Sequence, residues 1–239
     1  MRSVLILLLL LASCKAPVDD LLYNRPPGLD IAQVALANGA PETALHVAQT
    51  ALAANPRNVP ALIEAANAQA ALGQREQAVS SFKQALAAAP DDANAALGLG
   101  RLQLATDPAA AAIVLQHAAA NDQRNVAVLV DLGIANDLLG QHEAAQHAYR
   151  AALAVEPGRV AAAVNLGLSL ALSGDLPQAL SILRPLVATP QASPRMRQDL
   201  AAALVLAGDN QEAELVLHAD MPQPQVLATM TAFRLLQAP

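Results

Sequence analysis

The chain has 239 residues, long enough for a sizeable core, with 54% hydrophobic side chains but only 2% aromatic ones and no Trp. A formal net charge of −6, with no basic excess and too few aromatics to stack bases, excludes nucleic-acid binding. Alanine and leucine dominate where β-branched and aromatic residues would be needed for sheets, so the composition predicts close-packed helices, and a single cysteine excludes an internal disulfide or a Cys-cluster metal site.

Met1-Arg2-Ser3 is a short basic start, residues 4–11 are an unbroken apolar run, and Leu11-Ala12-Ser13-Cys14 closes it. The run is far below the ~20 residues that span a bilayer and fits the core of a signal peptide, placed at 1–13. Leu-Ala-Ser-Cys resembles the lipobox of bacterial lipoproteins. That resemblance implies cleavage before Cys14, lipidation of Cys14, and anchoring without a transmembrane helix. Lys15, where inner-membrane retention would use Asp, implies the periplasmic face of the outer membrane. An ordinary secretory signal with an incidental cysteine is the other reading. Residues 14–27 then form a lipidated tether, because Pro17, Asp19, Asp20, Asn24, Pro26 and Pro27 break any helical period.

Glycines recur at Gly39, Gly73, Gly140, Gly174 and Gly208, each followed five residues later by an alanine: Ala44, Ala78, Ala145, Ala179 and Ala213. Ala111 fills the one gap in the series. A unit of 34 residues is thus written six times, near 25–58, 59–92, 93–125, 126–159, 160–193 and 194–227, and the third copy is one residue short. That period predicts an all-α superhelical solenoid over 28–221, built from six helix pairs.

In unit four a first helix is predicted near 127–139, with Leu129, Leu132, Gly133 and Asn136 on one face. Gly140 ends it in a left-handed turn. A second helix near 143–155 places Ala145, Tyr149 and Ala152 inward, and Glu156-Pro157-Gly158 stops it. Unit three replaces its turn glycine by Asp107-Pro108, an N-cap followed by proline at the first helical position. Pro185 predicts a kink or an early end in the second helix of unit five. Beyond Pro222 and Pro224, the spacing of Val226, Met230, Phe233 and Leu236 predicts a capping helix within 222–239; a partner-binding tail is the alternative.

Leu132-Gly133, Ala145, Tyr149 and Pro157, matched by Gly73, Ala78, Phe82, Ala85 and Pro90, resemble the tetratricopeptide repeat (TPR). Ala96, Ala163, Leu183 and Leu217 stand where that repeat is usually larger, which predicts thinner interfaces. The resemblance implies a concave face lined by the first helix of each pair. By register, its sixth positions are Asp30, Glu64, Gly98, Asp131, Asn165 and Asp199, and its ninth are Gln33, Asn67, Arg101, Ile134, Leu168 and Ala202. The implied partner-binding residues are Glu64, Asn67, Arg101, Asp131, Ile134, Asn165, Leu168 and Asp199, with an apolar strip through Val164. Such a groove suits an extended or helical peptide. Arg101 is the conspicuous base. It is expected to touch a partner's carboxylate or carbonyls, and Arg101→Glu to leave stability nearly unchanged. The same polar residues could instead merely solvate the inner surface.

No motif for chemistry emerges. His142 and His147 lie five apart, off any shared helix face, and read as solvated surface side chains rather than zinc ligands. His46, His117 and His218 are isolated, and no phosphate loop or activated nucleophile is legible. The reading is a non-enzyme without metal, cofactor or small-molecule substrate.

The last third is more particular. Leu183-Arg184-Pro185-Leu186, then the run Ala192-Ser193-Pro194-Arg195-Met196-Arg197-Gln198-Asp199-Leu200-Ala201, then Leu206-Ala207-Gly208-Asp209 resemble the TadD family of TPR lipoproteins in the tight-adherence (Flp type IVb) pilus assembly system. Asp199 departs from that pattern, which has Asn. The resemblance implies an outer-membrane scaffold whose partners are the pilus secretin or other Tad components. A generic periplasmic TPR adaptor of polysaccharide export or β-barrel assembly is the rival reading, and a soluble adaptor with an accidental lipobox is a third.

Overall fold

The computed structural model describes residues 24–235, so the signal peptide, Cys14 and the first part of the tether lie outside the described residues. Among the described residues there are thirteen helices and no strand. Units one to three hold α1 (Leu29–Ala37) and α2 (Pro41–Ala54), α3 (Val59–Ala71) and α4 (Arg75–Ala88), and α5 (Ala93–Leu104) and α6 (Pro108–Asn121). Units four to six hold α7 (Val126–Leu138) and α8 (His142–Val155), α9 (Val160–Leu172) and α10 (Leu176–Val187), and α11 (Pro194–Leu206) and α12 (Asn210–His218); α13 (Gln223–Arg234) follows.

The sequence fixes where each helix starts and turns. Asn58, Asp92, Asn125 and Ser193 open α3, α5, α7 and α11 by accepting the N–H three residues on, at 3.0, 2.9, 3.2 and 3.3 Å. Within a pair, Gly140 (φ 71°) shows how the chain reverses: its N–H reaches the Asp137 carbonyl and the Gln141 N–H reaches the Asn136 carbonyl, both at 2.9 Å. This pairing satisfies the last free carbonyls of α7 and requires a left-handed residue between them. Unit three reverses without one. Asp107 accepts from the Ala110 N–H at 3.0 Å and Pro108 starts α6.

In units two to six the second helix inserts one large side chain into the stack: Phe82, Leu115, Tyr149, Leu183 and Leu217, all at most 1% exposed. The two leucines opposite glycines are not poorly packed. A Cβ on Gly100 or Gly167 would fall 2.7 Å from Leu115 Cγ or 2.6 Å from Leu183 Cγ, so the helices close in on the shorter knob. The thinner interfaces predicted from the smaller residues are therefore compensated by approach in these units.

Helix α10 runs through Pro185 and ends at Val187, at 12 residues against 14 for α8, the early end expected of that proline. Helix α13 lays Val226 and Met230, both buried, against α11 and α12, with Phe233 partly buried beside them. It covers the open end of unit six; Leu236 lies outside the described residues. The three clusters of buried residues are drawn entirely from 29–230, so the span from residue 24 onward carries its own core.

Candidate protein-interaction groove

Two cavities flank the stack on opposite sides. The inner one, about 520 Å³, is lined from the first helices, the Asp92 cap of α5 and the segment before α1, including Arg25, Gln33, Glu64, Asn67, Gly98 and Arg101. Of the residues proposed from sequence, it brings together Glu64, Asn67 and Arg101. Asp131 joins them through Arg101. Ile134, Asn165 and Leu168 are half-buried further along the same register and Asp199 lies beyond them; none of the four lines this cavity.

Arg101, the conspicuous base of the register, already has a partner within the chain. Its Nε donates to Asp131 Oδ2 at 2.6 Å, across the junction of units three and four. Asp131 is 7% exposed. Burial pushes its carboxyl above the usual carboxylate range, and the Arg101 hydrogen bond and charge pull the other way. Arg101 itself remains 55% exposed, so its other N–H groups still face the groove. Arg25 is a second base there. Its Nε donates to Asp30 at 2.6 Å and its Nη2 lies 3.9 Å from Glu64, itself 5% exposed. Asn24 and Arg25, assigned to the tether by sequence, are fixed to the solenoid, because buried Asn58 donates from Nδ2 to the Asn24 carbonyl at 2.6 Å.

Asp199 stands apart from this pattern. Its Oδ2 is buried without a hydrogen-bond partner, and Arg195 approaches only to 4.0 Å. Burial raises its pKa, with the Arg195 charge opposing.

One polar cluster was not legible. Asp137 accepts from Ser169 Oγ (2.7 Å) and Tyr149 Oη (3.0 Å) and pairs with His142 Nδ1 (2.8 Å). His142 is thus held within the stack and is not the free surface side chain predicted. The Ser169 hydroxyl, 0% exposed, points at the carboxylate and not at the imidazole, so the cluster activates no nucleophile; it ties unit four to unit five. Burial, then the charge of Asp137, pushes the Tyr149 hydroxyl well above its ordinary pKa. Spacings of 12 and 32 residues separate Asp137 from Tyr149 and Ser169, and no local motif marks them.

Helix pairs at this period, stacked with a lined inner face, define an α-α solenoid of the protein-interaction class. Sequence signatures of the tetratricopeptide repeat match residues 63–126 and 130–194, and a second such signature matches 35–80. The chain belongs to the tetratricopeptide repeat family. No curated protein matches it significantly. Among solved structures it is similar to PilW, described as a widely conserved type IV pilus biogenesis factor: 22% identity, 85% of this chain and 96% of that one covered, TM-score 0.74. A TPR protein from Parabacteroides merdae gives 15% identity, coverage of 92% and 86%, and TM-score 0.73. YrrB, a TPR protein with an unusual peptide-binding site, gives 18% identity, coverage of 78% and 97%, and TM-score 0.63. Likeness at these identities carries the fold alone.

Proposed function

We propose that the chain is a lipoprotein scaffold of the outer membrane, anchored through Cys14, that assists tight-adherence pilus assembly by holding a segment of a partner such as the pilus secretin. The observation that carries the binding role is the inner groove. Arg101 is oriented there by Asp131 yet half open to solvent, beside Glu64 and Asn67. A partner carboxylate or backbone carbonyl would meet its remaining donors without either charge being newly buried alone. Ile134 and Leu168, half-buried further along, supply apolar contact. Action is by binding, without chemistry. Anchoring scaffold and partner on one membrane raises their effective concentration, so modest groove affinity suffices.

The assignment to pilus assembly rests on the residue blocks at 183–186, 192–201 and 206–209, and the anchor on Leu11-Ala12-Ser13-Cys14. The shared fold with PilW is compatible with it and adds no identity of partner. The test is recovery of the pilus secretin with the anchored protein from envelopes, comparing wild type, Cys14→Ala and Arg101→Gln. Cys14→Ala should abolish palmitate incorporation. Arg101→Gln should weaken secretin binding by about ten- to a hundredfold, the loss of one charge-assisted contact. Undiminished secretin recovery with Arg101→Gln would move binding off the inner face. Recovery of a polysaccharide-export or β-barrel-assembly component in place of the secretin would assign the scaffold to that machine.

A further inference from the structure

We infer that the outer side of unit four holds a second binding site, separate from the inner groove, for an uncharged peptide segment. The second cavity, about 620 Å³, lies between α6 and α8 with α7 as its floor. That volume is within the range of sites that hold ligands. Its floor is Leu129, Leu132 and Asn136. Two residues along a helix are 200° apart, so Leu129 and Leu132 point away from Asp131 and Ile134, and this cavity shares no lining residue with the inner groove. Small walls keep it open: Ala119 on α6 and Ala144 and Ala148 on α8 leave space where larger side chains would meet.

Asn136 indicates what the site takes. It is 7% exposed and lines the cavity, and its side-chain amide makes no hydrogen bond among the described residues. Its amide atoms keep their access through the cavity, so what enters the cavity can meet them. The lining holds no Asp, Glu, Lys or Arg, in a chain of net charge −6, and His147 is its one titratable group. A charged segment would lose hydration there and find no counter-charge. An uncharged segment fits, with an aliphatic side chain on Leu129 and Leu132 and a backbone peptide group donating to and accepting from the Asn136 amide. The cavity runs between two helices, which suits a passing chain.

The probe is an N-acetylated, C-amidated hexapeptide of sequence alanine-leucine-glutamine-alanine-leucine-alanine, titrated to millimolar concentration into isotope-labelled protein spanning residues 24–239, the part whose core is self-contained. The expected result is saturable NMR shifts of the Asn136 side-chain amide and of the Ala119 and Ala148 backbone amides. Asn136→Leu should weaken binding about fivefold, the worth of one hydrogen bond. Ala148→Leu fills the cavity from its wall and should abolish binding. Ala144→Leu, at an exposed position of the same wall, should do so without touching the core. Arg101→Gln should bind the hexapeptide as wild type does, which separates this site from the inner groove. Four results would each overturn the inference: no saturable shift, shifts confined to the inner face, binding unaffected by Ala144→Leu, or equal binding of a peptide with both leucines replaced by glutamate.

Discussion

The two faces of α7 bury a polar residue to the same depth and treat it differently. Asp131 on the inner face and Asn136 on the outer are both 7% exposed. Asp131 is gripped by Arg101; the side chain of Asn136 is bonded to nothing described. The difference follows from charge. A buried carboxylate without a partner costs far more than an amide that keeps access to water, so Asp131 is held with its own counter-ion, whereas Asn136 needs none. One face is internally neutralised and binds by sharing an arginine already in place. The other presents an amide open to its cavity.

Gly133 tests whether the two faces depend on one helix position. A Cβ there would come 2.3 Å from Tyr149 Cε1. Gly133→Val should push α7 off α8 and cost about 3 kcal/mol, the upper part of the overpacking range. The melting temperature should fall by about 9 °C, measured by calorimetry, and both surfaces should lose binding together. Unchanged melting would mean that the faces do not share this packing.

Arg101→Glu should break the inner face alone. It is more than the near-neutral change of an exposed surface charge: with Asp131 buried beneath it, the variant sets two carboxylates together and should cost about 2 kcal/mol. The loss, read from denaturant unfolding, should shrink as pH falls and the carboxylates take up protons, while the outer cavity stays intact.

Asp199→Asn sharpens the contrast between a covered and an uncovered carboxylate. Burial raises the folded pKa of Asp199 above its unfolded value. The folded state therefore binds the proton first, and stability falls as pH rises from about 4 through the raised folded value. Asparagine removes that loss. The variant should be about 1 kcal/mol more stable than wild type at pH 7 and no more stable at pH 3, by urea midpoints at both. A gain of the same size at pH 3 would refute the electrostatic cause.

Asn136→Leu should move stability least, upward by less than about 0.5 kcal/mol, because an unpaired amide gives way to an apolar group of similar size. A large loss would show that Asn136 has a partner and that the outer face is as closed as the inner.

The period, the turn glycines and the large knobs were legible because each is decided within one 34-residue unit: a left-handed turn needs glycine wherever it sits, and a knob needs alanine or glycine opposite. The Arg101–Asp131 pair spans 30 residues and two units. The ninth position of one unit neighbours the sixth of the next, but nothing in either column marks which residues pair with each other rather than with a partner. Arg25 was hidden because Pro26 and Pro27 read as tether, and only Asn58 bonding to Asn24 brings it into the groove. The Asp137 cluster joins residues from three helices that no local spacing connects. The outer cavity had no sequence signal, because alanine is as consistent with helices in contact as with helices parted.

The turn at Asp107-Pro108 bears on how the stack assembles. Five of the six hairpins must freeze a glycine out of a wide range of denatured conformations; the third starts from proline, whose backbone is already restricted, and an aspartate that caps it. In a repeat array folding begins in one unit and spreads to its neighbours. Unit three has the least chain freedom to lose at its turn and sits near the middle of the array, so its hairpin closes at the smallest entropic cost of the six.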